Sequence, residues 1–254
     1  MKFKLSFLIF FFSLTFNIHA QQSLFRSNNT YIPKAPFTNG LVLHLEAGNL
    51  ASYPGTGTIW TDLSPSANHG TILNGVTYNV ANGGYFNFNA LNQYITLDPS
   101  KLPTGTSDRT IIAFVRTPTS ISGIQHVIHY GSTNTNQAFA LSLSDGRLNT
   151  HTWAAYPSSG GAAVNPSTNY CFAVTYTNSG NLHNFWVNGV QQGSGVANAI
   201  NTGTSIARIG MRILDGAEPW GPNGQIYQIL IYNRALSNSE ILEIYNTHRA
   251  KYGL

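Results

Sequence analysis

Between Gly40 and Tyr232 the apolar residues fall in short runs, broken at close intervals by turn signals. The runs cover residues 41–45, 71–73, 85–88, 94–97, 110–116, 125–130, 138–143, 147–151, 170–176, 183–187, 205–211 and 225–232. Asn74-Gly75, Asn82-Gly83-Gly84, Asp145-Gly146, Asn178-Ser179-Gly180 and Asn188-Gly189 stand between them. Glycine and asparagine tolerate the positive φ that tight turns require, so Asn-Gly between two apolar runs is a strong hairpin signal. The last two of these signals flank the run that holds Trp186, which predicts a hairpin there. Many short strands with no helical periodicity between them point to an all-β chain, a sandwich or a barrel. No repeat of solenoid period is visible.

The end of the chain breaks this pattern once. In residues 225–232, Ile226, Gln228, Leu230 and Tyr232 alternate with Tyr227, Ile229 and Ile231. Both faces of one strand then carry apolar groups, the mark of a strand covered on both sides. Ser237 stands three residues before Glu240, a capping-box spacing that satisfies two orphan N–H groups at a helix start. Ile241, Ile244, Tyr245, His248 and Tyr252 follow at helical spacing, with Gly253 as the stop. A helix over residues 237–251, docked through Ile241, Ile244 and Tyr245, is expected.

This closing block resembles that of the bacterial laminin G-like, concanavalin A-like lectin/glucanase domains. Those end in a Gly-x-Ile strand, Tyr-Asn-Arg-Ala-Leu-Ser, a Glu-Ile pair and Lys-Tyr-Gly; Gly224, Ile226, 232–237, Glu240, Ile241 and 251–253 match. The opening, 40–49 with Trp60-Thr61-Asp62-Leu63-Ser64 and Asn68-His69-Gly70, is similar to the start of the same domains. Residues 85–97 and Trp186-Val187-Asn188-Gly189 match further segments. The resemblance spans residues 40–254 and implies a two-sheet antiparallel β-sandwich of the concanavalin A-like jelly-roll type with one short C-terminal helix. It says little about function, because the fold hosts lectins, adhesins and hydrolases alike. Departures weaken any metal site carried over from relatives. Glu46 stands where Asp is common, Pro65 where Gly is common, Asn89-Ala90 replaces Asp-Gly, and Tyr227-Gln228 replaces an acidic pair.

The first residues read as a targeting segment. Lys2 and Lys4 precede an apolar stretch over 5–16, too short to span a bilayer, and Ile18-His19-Ala20 ends in a small residue. A signal peptide over 1–20 is expected, followed by an extended leader over 21–39 and one domain over 40–254. The mature chain would be secreted, with no membrane span. Loss of Lys2 and Lys4 lowers the formal net charge from +4 to +2, and the remaining basic residues are scattered, so a nucleic-acid surface is not expected. Cys171 is the only cysteine, so no intrachain disulfide forms; it lies in an apolar run and reads as a buried, inert thiol.

Catalytic signals are thin. Glycoside hydrolysis needs two carboxylates about 5–9.5 Å apart, and the Glu-x-Asp-x-x-Glu strand motif of laminarinase-like relatives is missing. The glutamates are Glu46, Glu218, Glu240 and Glu243, and the last two belong to the expected helix. His126 and His129, three apart in one strand, would point to opposite faces and could not share an ion. His44, His151 and His183 read as isolated structural residues. Calcium is the best cofactor candidate, through Asp62, Ser64 and Asn68 in one polar turn. The competing reading is ordinary turn chemistry, in which Asp and Asn side chains accept from nearby N–H groups. Trp153, Tyr156 and Trp220 fall in loops beside Gly, Pro and Ser. They are candidates for stacking on sugar rings, with Asp215 and Asn223 as polar partners; the competing reading makes each Trp an edge of the core. Trp60 and Trp186 read as packing residues. The leading expectation is a non-catalytic module that binds a glycan or a cell-surface ligand. A structural or adhesive protein-binding domain comes second, and a hydrolase or lyase third.

Overall fold

The computed structural model describes residues 37–154, 161–196, 199–212 and 218–254. The expected signal peptide and most of the expected leader lie outside the described residues. In chain order the strands are β1 (Leu41–Glu46), β2 (Ile59–Trp60), β3 (Gly70–Leu73), β4 (Thr77–Asn79), β5 (Tyr85–Phe88), β6 (Tyr94–Thr96), β7 (Arg109–Arg116) and β8 (Ile124–Gly131). They continue with β9 (Ala138–Ser144), β10 (Arg147–Asn149), β11 (Asn169–Thr177), β12 (Leu182–Val187), β13 (Val190–Val196), β14 (Ile206–Ile209) and β15 (Gly224–Tyr232). One helix, α1 (Asn238–His248), follows and runs into a 3-10 turn at Arg249–Tyr252. Strands β2, β4 and β13 are short or rich in Gly and Gln, and their sequences carry no apolar run.

The strands form two antiparallel sheets, consistent with a jelly-roll sandwich. One sheet runs β13-β12-β11-β7-β15-β5-β4, with β1 also paired to β15; the other runs β10-β9-β8-β14-β6-β3-β2. The Asn188-Gly189 hairpin forms as expected: both residues have positive φ, 52° and 77°, and they join β12 to β13.

The main core lies between the sheets, where Ile111, Ala113 and Val115 of β7 and Ile226, Ile229 and Ile231 of β15 meet Val127, Tyr130, Phe139 and Leu141. The alternate residues of the same strands, Ile112, Phe114, Tyr227, Leu230 and Tyr232, form a second apolar layer with Ile241, Ile244 and Tyr252. Helix α1 therefore covers the outer face of the larger sheet. Strand β15 is not strictly alternating. Its register against β7 slips between Ile226 and Gln228, so Tyr227 joins Leu230 and Tyr232 on the helix side.

The helix start is built as its sequence predicts. Ser237 accepts from the Glu240 N–H, and the Glu240 carboxylate accepts from the Ser237 N–H. Arg234 also donates to both carboxylate oxygens of Glu240, at 3.0 and 2.6 Å. With that hydrogen bond as the main cause, the Glu240 carboxyl is held down at about 2. The C-terminus is pinned by a buried network. Lys251 Nζ donates to Glu46 at 2.6 Å, Asn49 donates at 3.2 Å, and Tyr252 donates to Gln228 at 3.2 Å. Burial by itself would raise the Glu46 carboxyl, but hydrogen bonds from His44 and Lys251, with the Lys251 charge, outweigh it and hold it well below the usual range.

His248 sits under this helix against Phe114, and neither ring nitrogen has a hydrogen-bond partner among the described residues. Burial pushes its imidazole down to about 4, against the pull of the Glu46 charge. The folded value lies below the unfolded one, so the stability from a neutral His248 is complete above about pH 6.5 and is lost as pH falls through about 4. His248→Leu should flatten the fall of Tm across that window relative to the parent chain, as followed by thermal denaturation at a series of pH values.

Candidate functional site

Helix α1 closes the outer face of the larger sheet, which leaves the outer face of the seven-stranded sheet. Its strands place Leu73, Tyr94, Thr96, Arg208, His129, Ala140 and Ser142 there, the alternates of the core residues Ile72, Ile95, Ala207, Ile128 and Leu141. Tyr94, Thr96 and Arg208 are partly exposed, and the Arg208 guanidinium lies 4.5 Å over the Tyr94 ring.

His126 joins His129 on this face, contrary to the expectation from strand alternation. Against β9, Gln125 pairs with Leu143, His126 with Ser142, Ile128 with Leu141 and His129 with Ala140. Val127 is an extra residue in that register. The bulge reverses the alternation, sends Val127 and Ile128 both toward the core, and stacks the two imidazoles at 4.7 Å. Strict alternation would have put His126 in the same row as Ile128 and Tyr130, inside the core. That polar residue in an apolar row was the signal available in the sequence. The bulge's backbone groups are tied to a distant loop: the His126 N–H donates to the Glu218 carbonyl at 3.4 Å, and the Val127 carbonyl accepts from Gly210 at 2.8 Å.

His151, just beyond β10, brings a third ring to 5.6 Å from His126 and 5.4 Å from His129. Trp153 follows at 6.2 Å from His129 and 6.1 Å from His151. Its backbone is in the left-handed region, φ 67°, as is that of Ala154; such conformations are costly without Gly and persist where surrounding structure holds them. The Arg212 guanidinium lies 5.4 Å from the Trp153 ring and donates to Glu218 at 2.9 Å. The other Glu218 oxygen meets His126 Nε2 at 2.8 Å. Arg212 and Glu218 are 22% and 23% exposed, so they form the open edge above buried histidines.

Burial sets the charge states. It lowers His126 and His129, and it pushes His151 down to about 4. Neighbouring His and Arg212 charges act in the same direction on His129. Burial would raise Glu218, but the hydrogen bond from His126 and the Arg212 charge hold it below the usual range. At 2.8 Å from a carboxylate oxygen, Nε2 of His126 is the donor of the pair.

Of the residues singled out from the sequence, Trp153 is at this edge. Tyr156 and Asp215 lie outside the described residues. Asn223 is exposed in the turn before β15, φ 58°. Trp220 requires a correction. Its side chain is fully buried in the inter-sheet core, and a Cβ on Gly224 would stand 2.6 Å from its indole. A loop residue has turned inward because the small residue opposite leaves room. The same loop gives Pro219, Gly221 and Pro222 to a groove of about 240 Å³ shared with Asn89, Ala90 and Leu91. Trp60 and Trp186 are core residues as expected.

At Asp62 the hydrogen bonds support the turn reading that competed with calcium. Asp62 is buried, and its carboxylate accepts from His44 N, Ser64 N, Ser64 Oγ and Asn68 N at 2.7–2.9 Å. Asn68 exchanges two 2.9 Å bonds with the Asp98 backbone. A carboxylate offers about four lone-pair sites, and protein donors fill them. The turn is a structural staple. Glu46 and Glu218, the two glutamates outside the helix, are held by opposite sheets. Cys171 is buried, and burial raises its thiol.

Two outcomes follow. Trp220→Ala should cost about 3–5 kcal/mol of stability, the usual toll for a buried aromatic, while Trp153→Ala leaves the denaturant midpoint nearly unchanged. Asp62→Ala should cost about 2–4 kcal/mol, since it strands several buried donors, and added Ca²⁺ should leave the parent Tm where it is.

No curated protein matches the chain in sequence. Solved structures match its fold. Trypanosoma rangeli sialidase in complex with sialic acid aligns at TM-score 0.60 and 18% identity over 84% of this chain and 33% of that one. The binding domain of Paraclostridial Mosquitocidal Protein 1 aligns at 0.61 and 17% over 83% and 53%, and that of botulinum neurotoxin serotype G at 0.61 and 16% over 81% and 50%. The chain thus spans a third of the sialidase and about half of each toxin domain. The family model described as the Concanavalin A-like lectin/glucanases superfamily, of laminin G type, matches residues 88–242, more than half of the chain, and the protein belongs to that family.

Proposed function

We propose that this protein is a secreted, non-catalytic glycan-binding module whose ligand rests on the outer face of the seven-stranded sheet. The observation that carries the reading is the asymmetry of the sandwich. One outer face is sealed by α1 and the Arg249–Tyr252 turn, whereas the other presents Tyr94, Arg208, Trp153, Arg212 and Glu218, all partly open. Aromatic rings offer faces to the C–H patches of sugar rings, and guanidinium and carboxylate groups bond hydroxyls in fixed directions. A sandwich of this shape in a sialidase solved with sialic acid, and in two toxin binding domains, supports recognition of a surface glycan. Secretion is supported by the pattern over residues 1–20.

The non-catalytic part rests on the placement of carboxylates. Glu218 is the one carboxylate in the described part of this cluster, and it is engaged by Arg212 and His126. A retaining or inverting hydrolase of the two-carboxylate kind needs a second within about 9.5 Å.

A glycan array with the purified chain should give a saturable hit, and Trp153→Ala and Arg212→Ala should each weaken that hit by about fivefold or more, since a stacked contact contributes about 1 kcal/mol. Unchanged binding in both variants, or no hit on the array, would remove the reading. Release of reducing sugar that disappears in Glu218→Gln would make the protein a hydrolase instead.

A further inference from the structure

The histidine cluster has a chemistry that glycan binding does not use. His126, His129 and His151 each present a ring nitrogen, and these nitrogens all lie within 4.8 Å of one another. His129 is fully buried, and neither of its ring nitrogens has a hydrogen-bond partner among the described residues; Nδ1 of His126 has none either. A buried polar nitrogen left unpaired costs about 1–3 kcal/mol. A leucine in place of His129 would avoid that cost in a chain whose only need was packing. The cluster also sits where one inserted residue had to break the strand's alternation to bring His126 beside His129.

We propose that His126, His129 and His151 form a binding site for a transition-metal dication, with Zn²⁺ as the ion that fits best. Three imidazoles with no carboxylate ligand suit zinc and its neighbours rather than calcium or magnesium. Metal–nitrogen bonds of about 2.0–2.1 Å place tetrahedral ligands about 3.3 Å apart, so ring rotations that close the present spacing by about 1.5 Å complete the set. The Glu218 carboxylate accepts from Nε2 of His126, which assigns the proton to that nitrogen and leaves the Nδ1 lone pair for the metal. A carboxylate behind a metal-ligating histidine is a common orienting contact. A neutral imidazole is the form that ligates. Arg212 adds a positive charge nearby, and its ion pair with Glu218 offsets it. Three nitrogens leave a fourth position for water or a ligand oxygen, with Trp153 flanking two of the rings. The site borders the proposed glycan face through Trp153, Arg212 and Glu218, and its test uses metal alone.

The experiment is a Zn²⁺ titration of the chelator-stripped, tag-free protein by calorimetry, with Co²⁺ substitution read by visible absorption. The expected result is one equivalent of Zn²⁺ per chain, a higher Tm with Zn²⁺, and the intense bands of four-coordinate Co²⁺. His129→Leu should reduce Zn²⁺ affinity at least about 100-fold and Glu218→Gln about 10-fold or more, while His248→Leu, outside the cluster, leaves it unchanged. Absence of saturable binding by the parent chain overturns the proposal, as does His129→Leu with parental affinity. If His129→Leu does not fold, the parent's Co²⁺ spectrum and Glu218→Gln decide: only weak six-coordinate bands, or no loss in Glu218→Gln, overturn it.

Discussion

A sheet whose central strands are apolar on both faces has to be covered twice. Strands β7 and β15 impose that condition, with Ile111, Ala113, Val115, Ile229 and Ile231 on one side and Ile112, Phe114, Leu230 and Tyr232 on the other. The first side is met by the second sheet and the second by α1 and Tyr252. Burial of each such side chain is worth roughly 1.5–3 kcal/mol, so the helix is part of the core and not an appendage. That requirement also decides which outer face of the sandwich stays open. The face given to the helix is closed, and among the described residues the seven-stranded sheet keeps an outer face of polar and aromatic groups.

Two of the single-residue bulges, in β15 and β8, modify this plan in different ways. In β15 the bulge adds Tyr227 to the layer under the helix, where it packs 5.1 Å from Tyr252 and strengthens the cover. In β8 the extra Val127 turns two histidines to the same side. An extra residue also frees backbone groups from the ladder. Gly210 and Glu218 take them up, which anchors the loops around Arg212 and Glu218 to the strand that carries the cluster.

The few charged residues are mostly spent on structure. Glu46 ties β1 to the chain's end through Lys251, Glu240 joins the helix cap to Arg234, and Asp62 organises a turn with four protein donors. Arg109 is fully buried, and its guanidinium reaches the carbonyls of Pro103, Thr104, Gly105 and Ser107. In a chain that is only 9% charged, a carboxylate in a polar turn is no guide to metal, because backbone N–H groups in the same turn compete for its lone pairs. Glu218 differs in facing the histidines.

Features that depend on neighbours in the chain could be read from the sequence. The Asn188-Gly189 hairpin, the Ser237–Glu240 capping box, the two-faced β15 and the all-β class follow from local φ preferences, short-range hydrogen bonds and periodicity, while the choice of a two-sheet sandwich over a barrel came from the family resemblance. The candidate site was barely legible. Trp153 could be singled out as a loop aromatic, but Trp220 looked the same from its neighbours and is a core residue. His126 and Glu218 are 92 positions apart, and nothing local connects them. Whether an indole turns inward depends on the residue packed opposite it, here Gly224. Whether two histidines three apart share a face depends on strand register, here on the single bulge at Val127. Register and packing are set by partners distant in sequence, so the place of the cluster emerges in the folded chain alone.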